Sequence, residues 1–187
     1  TAEQAGDKLS TAELISIAFE LSAAGHETTA NLIGTLTFTL LRDRRLWEGL
    51  CADPSLLQTT IEEGLRYEPP LRILAPRFPD RDVELSGVVI PANEPVRVWI
   101  GAANRDGTAF PDPDTFQLDR AKNRHHSFSA GPHFCLGAQL ARLEARVAMN
   151  ALVRRLPSME LIDHTPQWRP TYSLRALEKL PVRWQMS

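Results

Sequence analysis

Hydrophobic side chains recur at helical spacing near the start of the chain, in a stretch that contains no proline. The first proline is Pro54, and proline is disfavoured inside helices because it lacks an N–H and clashes with the preceding turn. Ser10, followed three residues later by Glu13, is typical of a capping box at a helix N-terminus. The hydrophobic stripe then consists of Leu14, Ile17, Ala18 and Leu21. The pattern predicts one long helix over about 10–42.

Two further helices are predicted by the same reasoning. Asp53 followed by Pro54 is typical of a cap and a first helical position, and we expect this helix to end near Tyr67. A second proline-free window lies between Pro132 and Pro157. Its hydrophobic stripe consists of Leu136, Leu140, Leu143 and Val147, which predicts a helix that ends near Arg155.

The middle and the end of the chain are predicted to form short strands. Two β-rich triplets, 83–85 and 88–90, flank Ser86-Gly87 and indicate a hairpin. Residues 96–100 alternate with period two and predict a third strand. Residues 101–134 predict a long irregular stretch, and such loops are usually functional or flexible. The tail suggests short strands that pack back onto the helices. The fold class is therefore mainly α with small β-sheets.

Composition is that of a globular protein and excludes several function classes. The chain has 187 residues, with 43% hydrophobic and 24% charged residues and a net charge of −2, so neither disorder nor nucleic-acid binding is indicated. The chain has two cysteines, Cys51 and Cys135, which favours a reducing compartment. It shows neither a signal-peptide pattern nor a run of 18 apolar residues. We therefore expect a cytoplasmic protein that does not bind a membrane. A start at Thr1 rather than methionine suggests a processed or cut chain.

The segment Phe128–Gly137 is the most informative stretch, because it places one cysteine directly before a helix. Unpaired N–H groups at a helix N-terminus favour thiolate over thiol. A thiolate held there attacks a substrate, binds a metal or serves as an axial haem ligand. Gly131 and Gly137 permit close approach of a flat ligand. A buried structural cysteine is the plain alternative, and a zinc site with His125, His126 and His133 is disfavoured because no second cysteine lies nearby.

Two other short patterns carry polar groups that chemistry could use. Gly25 and two threonines weaken the long helix, and a hydroxyl of Thr28 or Thr29 that bonds the carbonyl one turn back would open its hydrogen-bond ladder. Helix packing around an exposed Glu27 is the alternative, and a zinc-protease motif is excluded because Ala30 replaces the second histidine. Glu63 and Arg66 are three residues apart and can pair, although most such pairs are solvated bridges.

In this order and spacing, the three patterns resemble the C-terminal half of a cytochrome P-450, a soluble bacterial-type haem-thiolate monooxygenase. The positions of the family's haem signature are filled by Phe128, Gly131, His133, Cys135 and Gly137. Ser129 departs from the glycine that bacterial members often carry after the phenylalanine. Because members are about twice as long, the resemblance implies that residues 1–187 are a single haem-binding portion without the N-terminal half.

The resemblance also implies roles for individual residues. Cys135 would be the axial ligand of the haem iron, His133 and Arg77 would bind the haem propionates, and Ala24 would lie at the haem on the long helix. Glu27 and Thr28 would relay protons to iron-bound dioxygen. Glu63 and Arg66 match the family's structural Glu-x-x-Arg pair, with Arg120 as third partner. Ile73 and Leu74 are candidate contacts to a small organic substrate.

Partners follow from the same resemblance. A ferredoxin-type electron donor is expected to dock on a basic face that comprises Lys122, Arg124, Arg142 and Arg146. Residues 32–41 are apolar nearly all round, so we expect part of that surface to need the missing half, a second chain or self-association. The alternative function is a truncated, non-catalytic haem-binding or scaffold module.

Overall fold

The computed structural model describes residues 8–185, and its elements follow the predicted order closely. Thr1, the basis of the expected processing, lies outside these residues. The helices are α1 (Thr11–Arg42), α2 (Arg44–Ala52), α3 (Leu57–Tyr67), α4 (Ile100–Ala103) and α5 (Ala138–Arg155). Two 3₁₀ turns, Pro54–Leu56 and Gly131–His133, precede α3 and α5. The strands are β1 (Val83–Leu85), β2 (Val88–Ile90), β3 (Glu160–Leu161) and β4 (Val182–Arg183). No helix within 8–185 is long and apolar enough to cross a membrane.

Capping residues set the ends of the first two helices. The Ser10 hydroxyl accepts the N–H of Glu13 at 3.3 Å, and the Glu13 carboxylate accepts the N–H of Ser10 at 2.7 Å. Asp43 ends α1 and caps α2 by accepting the N–H of Arg45. Sequence reasoning missed α2, although two signals were available: the Asp43 cap, and the apolar residues Trp47 and Leu50, which are three positions apart and are both buried.

The hydrophobic core is built around the second half of α1, and this overturns one expectation. Leu32, Leu36 and Leu40 are at most 2% exposed, because α2, α3, α5 and β3 pack around this part of α1. Gly64 allows α3 to approach closely, since a Cβ there would lie 2.9 Å from Leu36 Cδ1. The expectation that residues 32–41 are left uncovered is therefore wrong.

The uncovered apolar surface lies elsewhere, on the first turns of α1 and on one side of α5. The exposed hydrophobic side chains of α1 are Leu14, Ile15, Ile17, Phe19 and Leu21. On α5 the stripe that predicts the helix, Leu140, Leu143 and Val147, is exposed, and Leu136 just before the helix is 92% exposed. The side of α5 that this chain buries carries Ala138, Ala145, Met149 and Val153. The periodicity predicted the helix correctly, but the apolar stripe that marks the helix is not the side that this chain buries.

The predicted hairpin is confirmed and the predicted third strand is not. β1 and β2 pair antiparallel around Ser86 and Gly87, which both have positive φ, as a tight hairpin turn requires. Residues 96–100 form no strand: Val96 and Trp99 make isolated bridges to Arg77 and Ile73, and α4 begins at Ile100. The facing segment contains Pro76, which lacks the N–H that a continuous ladder needs.

The tail returns to the helical core as expected. β3 and β4 pair antiparallel, and an isolated bridge joins Trp168 to Leu177. A further bridge joins Leu71 to Leu174 and brings the tail beside the segment that follows α3. Together with the bridges to Trp99 and Val96, these short pairings place residues 71–77 beside both the tail and residues 96–99.

Candidate functional site

Cys135 lies at the end of a tight loop that leads directly into α5. Its N–H donates to the carbonyl of Phe128 at 2.9 Å, and its carbonyl accepts the N–H of Ala138 at 3.2 Å. Cys135 is exposed, so the alternative of a buried structural cysteine is wrong. Cys51 is half-buried, and burial raises the pKa of its thiol. The loop thus presents one accessible sulfur at a helix N-terminus.

Two positions of this loop have left-handed backbone conformations. Gly131 has φ +67°, which glycine adopts without cost. Ser129 has φ +62°, at the position where the resemblance expects glycine. A side chain with a Cβ is strained there by about 1–2 kcal/mol. Serine in place of glycine at position 129 therefore strains the backbone of the loop that carries Cys135.

A cavity of about 300 Å³ opens between α1, residues 70–77, the cysteine loop and the start of α5. The residues singled out in the sequence that line it are Ala24, Thr28, Leu74, Arg77, Phe128, His133, Cys135 and Gly137. Leu71 also lines it, as the resemblance implies for residues 71–75, whereas sequence reasoning missed Leu32, Leu65 and Pro70, because only the tertiary arrangement brings them to the cavity. The cavity is largely apolar, with a sulfur and two basic side chains at its wall.

Three of the residues expected to bind the cofactor, relay protons or contact the substrate do not line this cavity. Gly131 shapes the loop, and Glu27 forms a 3.5 Å ion pair with Arg169 in which both side chains are about half exposed. Ile73 is 4% exposed and packed in the interior. Since successive side chains of an extended segment point to opposite sides, Leu74 faces the cavity and Ile73 does not. Ile73 is therefore corrected from a substrate contact to a core residue.

Thr28 bonds the backbone of its own helix. Its hydroxyl donates to the carbonyl of Ala24 at 2.6 Å, the contact that the sequence pattern predicts. α1 nevertheless remains helical from Thr11 to Arg42, so the expected opening of the ladder does not occur. The hydroxyl is an additional donor to that carbonyl and leaves the helix intact at the cavity wall.

Glu63 is the centre of a buried ionic network. Glu63 and Arg66 are fully buried, and the Arg120 side chain is 5% exposed. Arg66 donates two hydrogen bonds of 2.8 Å to the Glu63 carboxylate, and Arg120 Nε lies 2.9 and 3.0 Å from its two oxygens. This is not a solvated surface bridge, because the three side chains are removed from water and pair with one another inside the protein.

The two arginines carry the network into the irregular segment that follows α4. Arg66 donates to the carbonyls of Asn104 and Pro113 at 3.0 and 2.8 Å, and Arg120 donates to the carbonyl of Pro111 at 2.8 Å. A segment without regular secondary structure must satisfy its carbonyls in this way. The network therefore ties the irregular segment to α3.

Asn104 connects that segment to the cysteine loop and was not singled out from the sequence. It is fully buried; its amide donates to the Ser127 hydroxyl at 2.9 Å, and its side-chain oxygen accepts the N–H of His126 at 2.8 Å. Ser127 in turn donates to the carbonyl of Leu65 at 2.6 Å. The loop that carries the cysteine is thereby anchored on α3.

The expected basic face has three accessible members. Lys122, Arg124 and Arg146 are exposed, whereas Arg142 is hydrogen-bonded to Glu62 at 2.7 and 2.9 Å. The neighbouring histidines do not assemble a metal site: within 8–185, no three His, Cys, Asp or Glu side chains are placed to hold a metal ion. Arg142, whose side chain is 30% exposed, is engaged by Glu62 and is therefore not an accessible member of the docking surface.

The sequence was compared with known proteins. Residues 42–179 match the sequence profile of the family described as cytochrome P-450. The chain belongs to the cytochrome P-450 family. It is 44% identical to the biotin biosynthesis cytochrome P-450 of Bacillus subtilis over 96% of this chain and 45% of that protein.

Other P-450 proteins show the same coverage. The monooxygenase PikC of Streptomyces venezuelae is 43% identical over 99% of this chain and 45% of its own length. The solved structure of the bacillaene polyketide synthase P-450 PksS of Bacillus subtilis superposes with a TM-score of 0.92 at 43% identity, covering 98% of this chain and 48% of that one. The chain has the P-450 fold and spans about half the length of the curated relatives it matches.

Membership of the P-450 family implies haem held by a cysteine thiolate. The described residues fit such a group on three counts. The cavity is largely apolar, the exposed Cys135 lies in its wall, and Arg77 and His133 supply cationic or hydrogen-bonding groups at its edge. A flat apolar cofactor with carboxylate substituents and a thiolate ligand matches this donor set.

Substitution of the central carboxylate tests the ionic network. Glu63→Gln leaves Arg66 and Arg120 without a buried counter-charge, and we expect the free energy of unfolding to fall by about 3–5 kcal/mol. Urea unfolding followed by circular dichroism measures it. Glu48→Gln is the matched control, because its ion pair with Arg44 is exposed and should contribute less than about 1 kcal/mol. Equal effects of the two substitutions would contradict a structural role for the network.

The strain at Ser129 is tested by introducing glycine. Ser129→Gly relieves about 1–2 kcal/mol of strain and loses about 0.5–1 kcal/mol to the entropy of the unfolded chain, so we expect a small gain in unfolding free energy. Ser129→Ala is the control, because it keeps the Cβ and should show no gain. Urea unfolding that ranks alanine above glycine would overturn the assignment.

Proposed function

We propose that this chain is the haem-binding half of a monooxygenase that inserts one oxygen atom from O₂ into a small organic substrate. The carrying observation is the accessible Cys135 sulfur, which lies at the start of α5 in the wall of an apolar cavity that Thr28 also lines. The relatives support it, since the curated description of PikC is a monooxygenase. Free thiols at Cys51 and Cys135 suit a cytoplasmic enzyme.

Haem is the proposed cofactor, and when bound it supplies the activation of dioxygen. Cys135 would be its axial thiolate ligand, since the N-terminus of α5 stabilises negative charge on the sulfur. Arg77 and His133 would hold the propionates by charge-assisted hydrogen bonds. Ala24, Gly137 and Phe128 contribute small or flat surfaces to the same cavity, and Gly131 sets the turn before the cysteine.

Glu27 and Thr28 are the proposed proton-relay pair. Thr28 presents its hydroxyl at the cavity wall while donating to the carbonyl of Ala24. Glu27 lies beside Arg169, and its half-exposed carboxylate is accessible to water. A rotation of either side chain would let a proton pass from solvent through Glu27 to the Thr28 hydroxyl.

The binding surfaces for the substrate and for the electron donor are assigned from the side chains that remain accessible. Leu74 and Leu71 line the cavity and would contact an apolar substrate, with Ile73 as packing behind them. Lys122, Arg124 and Arg146 are exposed and would attract an acidic, ferredoxin-type donor.

The N-terminal half of a P-450 is the proposed partner of the uncovered apolar surface. Leu140, Leu143 and Val147 follow a three–four spacing, which is the seam that a packed helix occupies. The matched relatives carry about as much additional chain again as this one provides. In the absence of that half, a second copy of this chain would cover the same face.

Without the N-terminal half, the cavity beside Cys135 is open on one side. This favours, as the second candidate function, a non-catalytic haem-binding or scaffold module.

Haem–thiolate ligation is tested by the spectrum of the reduced, carbon-monoxide-bound protein after haem is added. We expect the red-shifted Soret band of thiolate ligation in the parent and in Cys51→Ala. Cys135→Ala should lose it, because the second thiol, Cys51, is half-buried and contacts the carbonyl of Val153 near the other end of α5. A parent without that band would overturn the proposed ligation in this chain.

The proposed partner is tested by molar mass from light scattering. We expect the isolated chain to self-associate through its uncovered faces, and co-expression with the N-terminal half of the Bacillus subtilis relative to give a one-to-one complex instead. The double variant Leu143→Glu/Val147→Glu should reduce both associations. Val88→Glu/Val89→Glu, on the exposed hairpin, is the control. A stable, monodisperse monomer of the parent would contradict the proposal.

A further inference from the structure

Helix α3 carries two adjacent carboxylates that reach into different parts of the site. Neighbouring side chains on an α-helix point about 100° apart. Glu63 therefore reaches the irregular segment after α4, whereas Glu62 reaches α5 and the residues before the cysteine loop. The ionic network explains Glu63 and leaves Glu62 without a role.

Glu62 is the acceptor of a compact three-residue cluster. Arg142 donates through Nε and Nη2 at 2.7 and 2.9 Å to its two carboxylate oxygens, which is the bidentate geometry that guanidinium favours. His125 Nε2 lies 3.0 Å from Glu62 Oε2, and the His125 side chain is only 3% exposed. We call Glu62, His125 and Arg142 the α3–α5 cluster.

The backbone selects the protonation pattern of this cluster. The N–H of Ser127 donates to His125 Nδ1 at 3.2 Å, so Nε2 is the ring nitrogen that carries a proton toward Glu62. Burial by itself raises the pKa of Glu62. Hydrogen bonds from Arg142 and His125, together with their charges, outweigh this effect and lower the pKa to about 2. Glu62 is thus a carboxylate at ordinary pH and holds both partners.

Both partners of Glu62 contact the ring of Phe128. The Arg142 guanidinium carbon lies 4.4 Å from the ring centroid, within cation–π range. The His125 ring lies 5.9 Å from it at a tilt of 50°. Phe128 is the residue whose carbonyl accepts the N–H of Cys135. Two members of the cluster therefore contact the residue that begins the cysteine loop.

We propose that Glu62 is a positioning residue for Cys135: through Arg142 and His125 it clamps Phe128, and Phe128 holds the cysteine backbone before α5. The inference rests on the proposed function only in that the positioned sulfur is the haem ligand. It also accounts for the removal of Arg142 from the basic docking face, since its charge is neutralised by Glu62 and its planar group packs against Phe128.

Hydrogen exchange of the Cys135 amide in the haem-free protein measures this clamp directly. We expect Glu62→Ala to accelerate that exchange about tenfold or more, which is the effect of about 1.4 kcal/mol of lost local stability. The amide of Leu40 in the core of α1 reports global unfolding and should change less. Glu48→Ala, which removes an exposed ion pair, is the matched control and should leave the Cys135 amide unchanged.

Conservative variants separate positioning from general stability. Glu62→Gln keeps an acceptor oxygen and should restore part of the protection of Cys135. Arg142→Lys keeps the charge but lacks the planar group that packs on Phe128, so the Cys135 amide should exchange faster although Glu62 remains paired. If Glu62→Ala unfolds the protein, these two variants alone decide the outcome.

A spectrum distinguishes failure of this inference from failure of the proposed function. In haem-loaded protein, Glu62→Gln and Arg142→Lys should lower the fraction of the thiolate-type band of the carbon-monoxide complex relative to the parent. A parent that lacks the band overturns haem ligation, while the exchange of the Cys135 amide still tests the clamp. Unchanged exchange and an unchanged band in all three variants would overturn the positioning role of Glu62.

Discussion

Full pairing of one buried carboxylate, Glu63, is the constraint on which the rest of the structure depends. A buried charge is tolerated only when counter-charges and hydrogen bonds replace the water it has lost. Here Arg66 and Arg120 supply the charges, and each arginine has further N–H groups that must also find acceptors. Those acceptors are backbone carbonyls of a segment with no regular structure of its own. One ionic centre thus orders a loop that hydrophobic packing alone would leave underdetermined.

The same ionic network helps to fix the position of the cysteine loop. Asn104 connects the ionic network to the cysteine loop. Its carbonyl accepts a hydrogen bond from Arg66, while its side chain bonds Ser127 and the backbone of His126. From the other side, Glu62 reaches α5 and His125. Helix α3 therefore supports the loop twice, through two consecutive glutamates with different partners. This double attachment explains how a loop with strained backbone at Ser129 keeps a definite position for Cys135.

Local sequence signals predicted much of the fold and part of the site. The capping box, the proline-free windows and the hairpin turn act over a few residues, so they can be read without knowing the tertiary structure. Cys135, Thr28 and Glu63 were found through motifs. Glu62 and Asn104 were missed because their partners lie 80 and 22 residues away, and no local spacing records such contacts.

The sequence by itself determined where α1 begins and ends, where α3 and α5 end, which cysteine precedes a helix, and the family to which those motifs belong. It did not determine which apolar face of a helix is buried. Residues 32–41 are covered, whereas the stripe of Leu140, Leu143 and Val147 is exposed. Periodicity marks a face as apolar, but only the arrangement of the other elements decides what packs against it. For the same reason, the tertiary structure alone separated Leu74 at the cavity from Ile73 in the core.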